Sequence, residues 1–361
     1  MAVYDYNGNL IADLEGTTIT SLSEYGDLST AEGFETALTN AINDNAIDGV
    51  SIPRGSYSLN NTLRLRSNFA IIGNGSWMHF YGSNVHCFAI NNQSDIVIDG
   101  LNIDMHQTKD ATSGTTFYIA DSDHVTIRNL TIRNIAVRAA MALNADPTSS
   151  TNGCNYLTFE NLVLNGIGEA NSNEPSWPYG ILACNARNTV MRHCHVTGMS
   201  RVSLAFKNYV KDSMMIDNVI DGSLHGLSVA SDRHDDETSS YDVKLIGNTV
   251  RNTKYPLWAG RTDRLIVTGN SLTGGQMYIQ KCHDSIICNN VMDNSGDPDE
   301  QDLIMLDYGN NIVLSGNIYK KHSNGELFNI NNNPVNVIVN GLFNGKEINI
   351  ENPTSGTPTT S

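Results

Sequence analysis

The chain has 361 residues, of which 40% are hydrophobic and 17% are charged, and this apolar content excludes wholesale disorder. The formal net charge of −16 argues against general binding to nucleic acid or to acidic membrane surfaces. No apolar run approaches the roughly 20 residues that a membrane-spanning helix needs.

The first predicted element is a helix near the N-terminus. A capping box runs from Ser29 to Glu32, and an apolar helix face follows it. That face consists of Phe34, Ala37, Leu38, Ala41 and Ile42. We expect residues 1–46 to form a segment whose helix caps the open end of the next structural unit.

Residues 47–345 repeat a short unit of β-rich runs with almost no helical periodicity. The shortest repeat is the 20-residue step from Asn270 to Asn290, which suits a rung of three short strands and three turns. The pattern predicts a single all-β domain, a parallel β-helix of about ten rungs. Residues 346–361 are polar and are predicted to form a flexible tail.

One turn of the repeat carries a recurring polar residue that is predicted to form a side-chain ladder. The positions are Asn129, Asn161, Cys194, Asn218, Asn248, Asn270, Asn290 and Asn317. A ladder of this kind serves architecture rather than chemistry.

Each unit opens with an alternating run, for example TFYI at Thr116 or GLSV at Gly226. Alternation predicts that one set of side chains points into the core: Phe117, Ile119, Leu227, Val229, Leu257, Ala259, Met277 and Ile279. Ser228, Trp258 and Tyr278 then point outward on successive rungs.

The entry into the repeat resembles that of a known superfamily. Gly26 and Asp27 precede the helix, VSIPRGSYSL follows at Val50–Leu59, and IIGNG follows at Ile71–Gly75. This segment resembles the entry of the pectate-lyase-like right-handed β-helix superfamily, especially bacteriophage tailspikes and secreted polysaccharide-degrading enzymes. The usual Asp-Asp-Thr run is replaced by Leu-Ser-Thr at residues 28–30. The resemblance implies a right-handed coil that acts on carbohydrate.

The resemblance places carbohydrate chemistry on the outer face of one sheet, so the opening strands and the turn after them hold the candidates. That turn is predicted to carry Lys207, Arg261 and Lys281, with His283 two residues farther on. Stacked strands lie about 4.8 Å apart, so these cations would share one sugar-chain footprint. Their role is to bind the substrate or to neutralise its charge, and a few solvated turns are the alternative.

Charge counting favours an anionic substrate in this zone. Residues 201–281 contain ten basic and nine acidic side chains, whereas the whole chain contains 22 and 38. A local excess of positive charge in an acidic protein attracts anionic ligands.

Three aromatic residues, Tyr255, Trp258 and Tyr278, are predicted to be adjacent on this face. Exposed rings suit stacking against pyranose faces. They could equally pack under the long loop at residues 169–177.

The segment SDRHDDE at residues 231–237 is the most distinctive local feature. It resembles the Asp-x-His-Glu turn of β-helical alginate C5-epimerases, with Asp232, His234 and Asp235 in the matching places. Arg233 stands where that turn has proline, and Asp235 stands where it has glutamate. Such a cluster can supply a base, an acid and a cation, and a hydrated loop is the alternative.

Removal of the C5 proton of a uronate requires a base and a cation that neutralises the carboxylate. Arg261 and Lys281 are the candidate neutralisers, Lys207 or His234 is the candidate base, and Tyr255 is the candidate proton donor. We therefore predict catalysis by Asp232, His234, Arg261 and Lys281 on an acidic polysaccharide, most simply as a lyase. Epimerisation would use the same first step.

Two other classes stay open. A hydrolase would need two carboxylates that flank one bond, and Asp232 with Asp235, Asp236 or Asp307 could supply them. A non-catalytic adhesin or structural spike would bind glycans without cutting them.

No metal site is predicted among the histidines and cysteines. His193, His195, Cys184 and Cys194 look like a cluster, but the cysteines fall at core or ladder positions, so a structural role is favoured. Calcium is considered only for the acidic loop that contains Asp297, Asp299, Glu300 and Asp302. That loop lacks an EF-hand pattern, so a solvated loop is favoured.

The N-terminal sequence MAVYDYNGNLIADLEG has no basic region followed by an apolar one, so no conventional signal peptide is predicted. This fits a virion-associated or otherwise extracellular protein that is released by host lysis. The resemblance to tailspikes implies a homotrimer. We predict a polysaccharide as the partner and, from the net charge and the lack of a long apolar run, neither nucleic acid nor membrane.

Overall fold

The chain is described by a computed structural model at residues 2–4, 10–13, 17–83, 85–108, 111, 113–143, 153–167, 178–230, 240–295, 302–321, 326–332 and 334–353. Within these residues, regular structure is almost entirely β, and a single α-helix lies near the N-terminus. No helix in these ranges is both long and apolar enough to span a membrane.

The N-terminal elements precede the repeating unit. Strands β1 (Ala2–Tyr4) and β2 (Leu10–Asp13) pair antiparallel. Strand β3 (Ile19–Ser21) is followed by a 3-10 turn at Leu22–Glu24 and by helix α1 (Ala31–Asn43).

The apolar face of α1 is buried as predicted, and its residues belong to the main core. Phe34 stacks on Tyr57 with ring centroids 4.5 Å apart. The N-cap is Thr30 rather than Ser29, because the Thr30 side chain accepts a hydrogen bond from the Gly33 backbone N–H at 3.0 Å. Ser29 is held instead by Asp27, to which both its backbone N–H and its hydroxyl donate.

The remaining strands follow in chain order: β4 (Gly49–Ser51), β5 (Ser56–Leu59), β6 (Leu63–Arg64), β7 (Phe69–Ile72), β8 (Trp77–Phe80), β9 (Phe88–Asn91), β10 (Ser94–Asp99), β11 (Asn102–Asp104), β12 (Thr115–Ala120), β13 (Asp123–Arg128), β14 (Thr131–Ile135), β15 (Arg138–Leu143), β16 (Asn155–Glu160), β17 (Val163–Gly166), β18 (Tyr179–Cys184), β19 (Val190–Arg192), β20 (His195–Thr197), β21 (Val202–Lys207), β22 (Lys211–Ile216), β23 (Val219–Ala230), β24 (Ser240–Ile246), β25 (Thr249–Gly260), β26 (Thr262–Asp263), β27 (Ile266–Thr268), β28 (Ser271–Gly274), β29 (Met277–Cys288), β30 (Val291–Asp293), β31 (Ile304–Lys320), β32 (Phe328–Asn331), β33 (Val335–Phe343) and β34 (Lys346–Glu351).

Strands β4 to β33 wind into a coil in which strands pair in parallel with the equivalent strands of the neighbouring coils. The first sheet contains β6, β9, β12, β15, β18, β21, β32 and the parts of β23, β25, β29 and β31 that are in register with them. The second sheet includes β7, β10, β13, β16, β19 and β22. The third includes β5, β8, β11, β14, β17 and β20. Long strands such as β25 turn from the third sheet into the first without a break.

The core fills the inside of the coil and has the alternation that the sequence predicts. Phe117, Leu227, Leu257 and Met277 are all 0% exposed. The opening runs named in the sequence are strands of the first sheet, and β21 is a further one that the repeat did not reveal. Because each coil is too thin to bury an apolar face alone, this continuous core joins neighbouring coils.

The predicted ladder exists but begins later in the chain than predicted. Asn218, Asn248, Asn270, Asn290 and Asn317 are buried, and the Nδ2 of each of the first four donates to the Oδ1 of the next at 2.9–3.0 Å. Asn317 ends the ladder as an acceptor, and its own Nδ2 donates to the Ile287 carbonyl oxygen at 2.8 Å.

Asn129 and Asn161 do not belong to this ladder. They lie one residue earlier, at an exposed turn position with φ of 59° and 52°, and they pair with each other at 3.1 Å. The ladder position in these coils is occupied by Leu130 and Leu162, which are buried. The prediction failed here because Asn suits both the left-handed turn position and the ladder.

The C-terminal end differs from the repeat. Residues 346–351, which the sequence assigns to a tail, form β34, and this strand pairs antiparallel with β33. An antiparallel strand ends the succession of parallel pairings on this edge of the coil.

Candidate functional site

The outer face of the first sheet has an apolar part and an aromatic part. In the apolar part Met141, Leu182 and Ala205 occupy successive outward positions and are buried. In the aromatic part Trp258 and Tyr278 occupy the same column of outward positions. The second part lies where the sequence predicts the sugar-binding residues.

Tyr255, Trp258 and Tyr278 lie together, as predicted. The rings of Trp258 and Tyr278 stack with centroids 4.1 Å apart and planes 13° apart. Tyr255 meets Trp258 edge-on at 5.1 Å. Burial, and then the charges of Asp307 and Tyr255, raise the pKa of Tyr278. The loop that could cover these rings, residues 169–177, lies outside the described residues.

His225 belongs to this cluster, although it was not among the predicted site residues. Its ring centroid lies 4.7 Å from that of Trp258 and 5.2 Å from that of Tyr255. Burial, followed by the charges of Arg201 and Lys207, lowers the pKa of His225 to about 4. The imidazole is therefore neutral at pH 7.

Strict alternation of inward and outward side chains did not predict His225 on the outer face. Counted back from the outward Ser228, it would point inward, yet it lies beside outward rings. The alternation is interrupted at Gly226, where an added Cβ would come within 2.8 Å of the Pro256 carbonyl oxygen. A glycine inside a strand pattern is a signal for such an irregularity, and it could have pointed to His225.

Lys207 lies on the strand rather than in the turn where it was predicted. It is the last residue of β21, in register with Cys184 and Ala230. It is 6% exposed, and its Nζ lies 5.5 Å from the centre of the Tyr179 ring. Because β21 includes Lys207, its ammonium group lies on the outer face beside the apolar part.

Arg261 and Lys281 begin the turn after the first sheet, as predicted. The backbone N–H of Arg261 donates to the Gln280 carbonyl oxygen at 2.8 Å, which stacks the two turns. The Lys281 Nζ lies 5.2 Å from the centre of the Tyr308 ring. Arg261 Nη1 has no hydrogen-bond partner among the described residues.

Arg261 and Lys281 have a backbone conformation that is unusual for Arg and Lys. Their φ angles are 53° and 48°, in the left-handed region, where a residue other than Gly, Asn or Asp costs about 1 kcal/mol or more. Five other described coils have Asn or Asp at this position, namely Asn92, Asp121, Asn185, Asn208 and Asn332, and the coil after Lys281 has Tyr308 with a φ of 45°. The turn itself therefore does not select Arg or Lys.

His283 lies in β29 two residues after Lys281, in register with Asp263 and Asn310. The chain has left the first sheet there, so His283 is displaced from the aromatic cluster along the strand.

Among the residues that the structure describes, Asp307 supplies a carboxylate on this face. It is 7% exposed and accepts hydrogen bonds from Gln280 Nε2 at 2.7 Å and from Asn332 Nδ2 at 2.6 Å. Each of its oxygens thus has an amide donor. Asp232, Arg233, His234, Asp235 and Asp236 lie outside the described residues.

The ends of that segment are nevertheless located. It leaves β23 after Ala230 and returns at β24, where the Ser240 backbone N–H donates to the Arg261 carbonyl oxygen at 3.3 Å. The first described residue after the segment, Ser240, therefore lies next to Arg261.

Two other groups were considered as metal sites in the sequence: the histidine–cysteine group and the acidic loop. Their described residues contact other groups of the protein. Cys194 lies in the ladder column, and burial raises the pKa of its thiol to about 12. His193 Nε2 lies 3.8 Å from an Asp217 carboxylate oxygen. In the acidic loop, Asp302 accepts from the Asn329 side chain, while Asp297, Asp299 and Glu300 are outside the described residues.

No protein-family model and no curated protein sequence matches this chain. Its fold matches solved structures of several kinds at low sequence identity. The A-module of the mannuronan C-5 epimerase AlgE6 of Azotobacter vinelandii is 14% identical with a TM-score of 0.65, and the match covers 90% of this chain and 94% of the module. PfbA, a surface adhesin of Streptococcus pneumoniae, is 15% identical with a TM-score of 0.65 and 90% coverage of both chains.

A tailspike protein of E. coli bacteriophage HK620 is 12% identical with a TM-score of 0.64, over 94% of this chain and 68% of the tailspike. At such identities the likeness concerns the fold. Taken with the parallel pairing of coil on coil, it establishes that this chain is a right-handed parallel β-helix protein.

Proposed function

We propose that this protein binds an acidic, uronate-containing polysaccharide across the outer face of the first sheet and cleaves it by β-elimination. The observation that carries the proposal is the stacked pair Trp258–Tyr278, with neutral His225 on one side and the turn cations Arg261 and Lys281 on the other. The scaffold in this proposal is a coil of about ten rungs with α1 as its N-terminal cap.

Binding follows from the combination of rings and cations. Stacked aromatic rings offer apolar faces to pyranose C–H groups, and the cations attract carboxylates. Lys207 and Arg233 extend the positive charge along the face in this proposal, while Tyr255, Asp235 and His283 contact the sugar chain at its edges.

The elimination can be written with the groups of this face. The base removes the C5 proton of the uronate, the C4–O bond breaks, and a C4–C5 double bond forms. Arg261 and Lys281 neutralise the carboxylate while negative charge develops on it. Tyr255 gives its phenolic proton to the departing oxygen.

Among the residues that the structure describes, His225 is the candidate for the base, because its imidazole is neutral at pH 7. Arg201 and Lys207 help to lower its pKa, so a bound carboxylate near these cations would raise that pKa and strengthen the base. Asp232 and His234 supply further acid–base groups in this proposal, since their segment precedes Ser240, which lies beside Arg261.

The alternatives differ from the lyase in their chemistry on the bound glycan. A C5-epimerase would return a proton to the opposite face and break no C–O bond. A hydrolase would need two free carboxylates, and both oxygens of Asp307 already have amide donors. A glycan-binding adhesin would show binding without turnover.

Two of the structurally similar proteins support the location and oligomeric state that we propose. One is a surface adhesin and one is a phage tailspike, and a virion-associated or extracellular site of action, as a homotrimer, fits both the fold and the substrate.

The test incubates the purified protein with uronate-containing and neutral bacterial polysaccharides while ultraviolet absorbance and reducing ends are followed together. A lyase raises both signals, and His225→Gln and Arg261→Gln lose most of this activity. Arg264→Gln is the matched control, since Arg264 also has a left-handed φ of 53° but pairs with Asp242 at 2.6 Å. Reducing ends without absorbance would support a hydrolase, and binding without either signal would support an adhesin.

A further inference from the structure

Three side chains with metal-ligating atoms converge on the outside of the third sheet, near the N-terminal end of the coil. His79 lies in β8, Asp104 lies in β11 one coil later, and His106 follows β11. His79 Nδ1 lies 3.0 Å from His106 Nε2 and 3.9 Å from an Asp104 carboxylate oxygen, and His106 Nε2 lies 3.6 Å from the other Asp104 oxygen. They form the one such group of three or more in the part of the chain described by the structure.

The spacing suits a single divalent ion. Zinc–nitrogen and zinc–oxygen bonds of 2.0–2.2 Å separate neighbouring ligand atoms by roughly 3.0–3.6 Å. The separation of the two histidine nitrogens, 3.0 Å, falls in that range. Each of these nitrogens lies 3.6–3.9 Å from one of the two Asp104 oxygens, at or a few tenths of an ångström above the upper limit. Two imidazoles and one carboxylate are a donor set that zinc and its first-row neighbours accept.

The groups around the ligands hold them in place. The His79 Nε2 lies 2.9 Å from the Ser56 hydroxyl, so Nδ1 can be left unprotonated for a metal. Asp104 is held by Arg133 Nε at 2.7 Å, by Asn134 Nδ2 at 2.6 Å and by the His106 backbone N–H at 3.1 Å. A carboxylate has about four acceptor positions, so one stays available beside the histidines.

The site is accessible from solvent. The side chains of His79 and His106 are 22% and 34% exposed, whereas Asp104 is 2% exposed. A cleft of about 310 Å³ borders His106 and is lined by Tyr81, Gly82, Met105, Gln107 and Thr108. The Tyr81 ring stacks on His106 at 4.5 Å and limits its movement.

We propose that His79, Asp104 and His106 bind one Zn²⁺ ion per chain. The ion joins β8 to β11 and the turn after it, with its remaining coordination positions open toward solvent. This site is separate from the aromatic face on the first sheet, and the proposal does not depend on the proposed lyase activity.

The test titrates the metal-free full-length protein with Co²⁺, whose visible absorbance reports nitrogen and oxygen ligands, and then displaces it with Zn²⁺. We expect one equivalent to bind and Zn²⁺ to raise the unfolding temperature. His106→Ala should lose both effects. Ser56 is exposed and is not a ligand, but its hydroxyl holds the His79 ring. Ser56→Ala should therefore weaken binding by about 10-fold or more.

His124→Ala is the matched control. His124 has a left-handed φ of 52° and stacks on Tyr156 at 4.7 Å, as His106 does on Tyr81, but it is not part of the cluster. It should bind Co²⁺ like the wild type. Absence of saturable Co²⁺ binding in the wild type, or equal binding in His106→Ala, would overturn the proposal and leave a hydrogen-bonded histidine pair.

Discussion

The same buried turn position is filled in two different ways along the coil. In the N-terminal coils it carries Leu101, Leu130 and Leu162, which are at most 2% exposed. In the C-terminal coils it carries a ladder of five asparagines from Asn218 to Asn317. The backbone shape is shared, because the preceding residue is left-handed in both regions, as in Asn129 and Gly269.

The difference shows that either apolar burial or a complete polar network can stabilise this turn. The leucines contribute by removing apolar surface from water. The asparagines contribute only because every amide has partners: Asn270 Nδ2, for example, donates to the Leu245 carbonyl and to Asn290 Oδ1. A polar ladder is therefore more sensitive to the loss of one member.

Replacement of the central asparagine of the ladder should cause the largest loss of stability. Asn270→Leu removes the acceptor of the Asn248 backbone N–H and the donor to the Leu245 carbonyl. Two buried backbone groups then lack partners, at a cost of about 4 kcal/mol in the free energy of unfolding. Chemical denaturation measures this. Asn161→Gly, at the exposed pair, should change it by less than about 0.5 kcal/mol, and equal effects of the two changes would refute the distinction.

The leucine region should lose less from truncation. Leu162→Ala removes buried methyl groups but leaves no polar group without a partner, so we expect a loss of about 3 kcal/mol. Val163→Ala, at a neighbouring side chain that is 37% exposed, provides the control in the same denaturation experiment. A loss for Leu162→Ala no larger than that of Val163→Ala would show that apolar burial does not support this turn.

The outer face of the first sheet, unlike the leucine and asparagine columns, contains a buried histidine, His225, whose pKa is lowered on folding. Between pH 6.5 and about 4 the unfolded chain binds a proton at His225 that the folded chain does not. Stability should therefore fall as pH falls through this window, by about 3 kcal/mol from this residue. Denaturation at pH 7 and pH 4 should show a shallower loss for His225→Gln, and parallel losses in both proteins would exclude this role.

Cys194 lies between the two regions and should tolerate conversion to the ladder residue. Its backbone N–H already donates to Asn218 Oδ1 at 2.9 Å, and its Sγ lies 3.4 Å from the Arg192 carbonyl oxygen, where an amide could donate. We expect Cys194→Asn to change the free energy of unfolding by less than about 1 kcal/mol. A loss as large as that of Asn270→Leu would mean that the ladder cannot be extended past Asn218.

The repeat and the alternation in the sequence determined the coil, the inward residues such as Leu227 and Leu257, and the adjacency of Trp258 and Tyr278. They did so because each coil repeats the same three strands, and alternation in an extended strand separates core from surface without knowledge of other contacts. The position of Arg261 and Lys281 in the turn after the first sheet followed from the same alignment of units.

Only the tertiary structure decided the one-residue shift from Asn129 to Leu130, the position of Lys207 at the end of β21, the outward direction of His225, and the meeting of His79 with Asp104 and His106. These features depend on register between coils about 20–30 residues apart and on irregularities such as the one at Gly226. A displacement of one residue reverses the face of a side chain, and only contacts across neighbouring coils select among such registers.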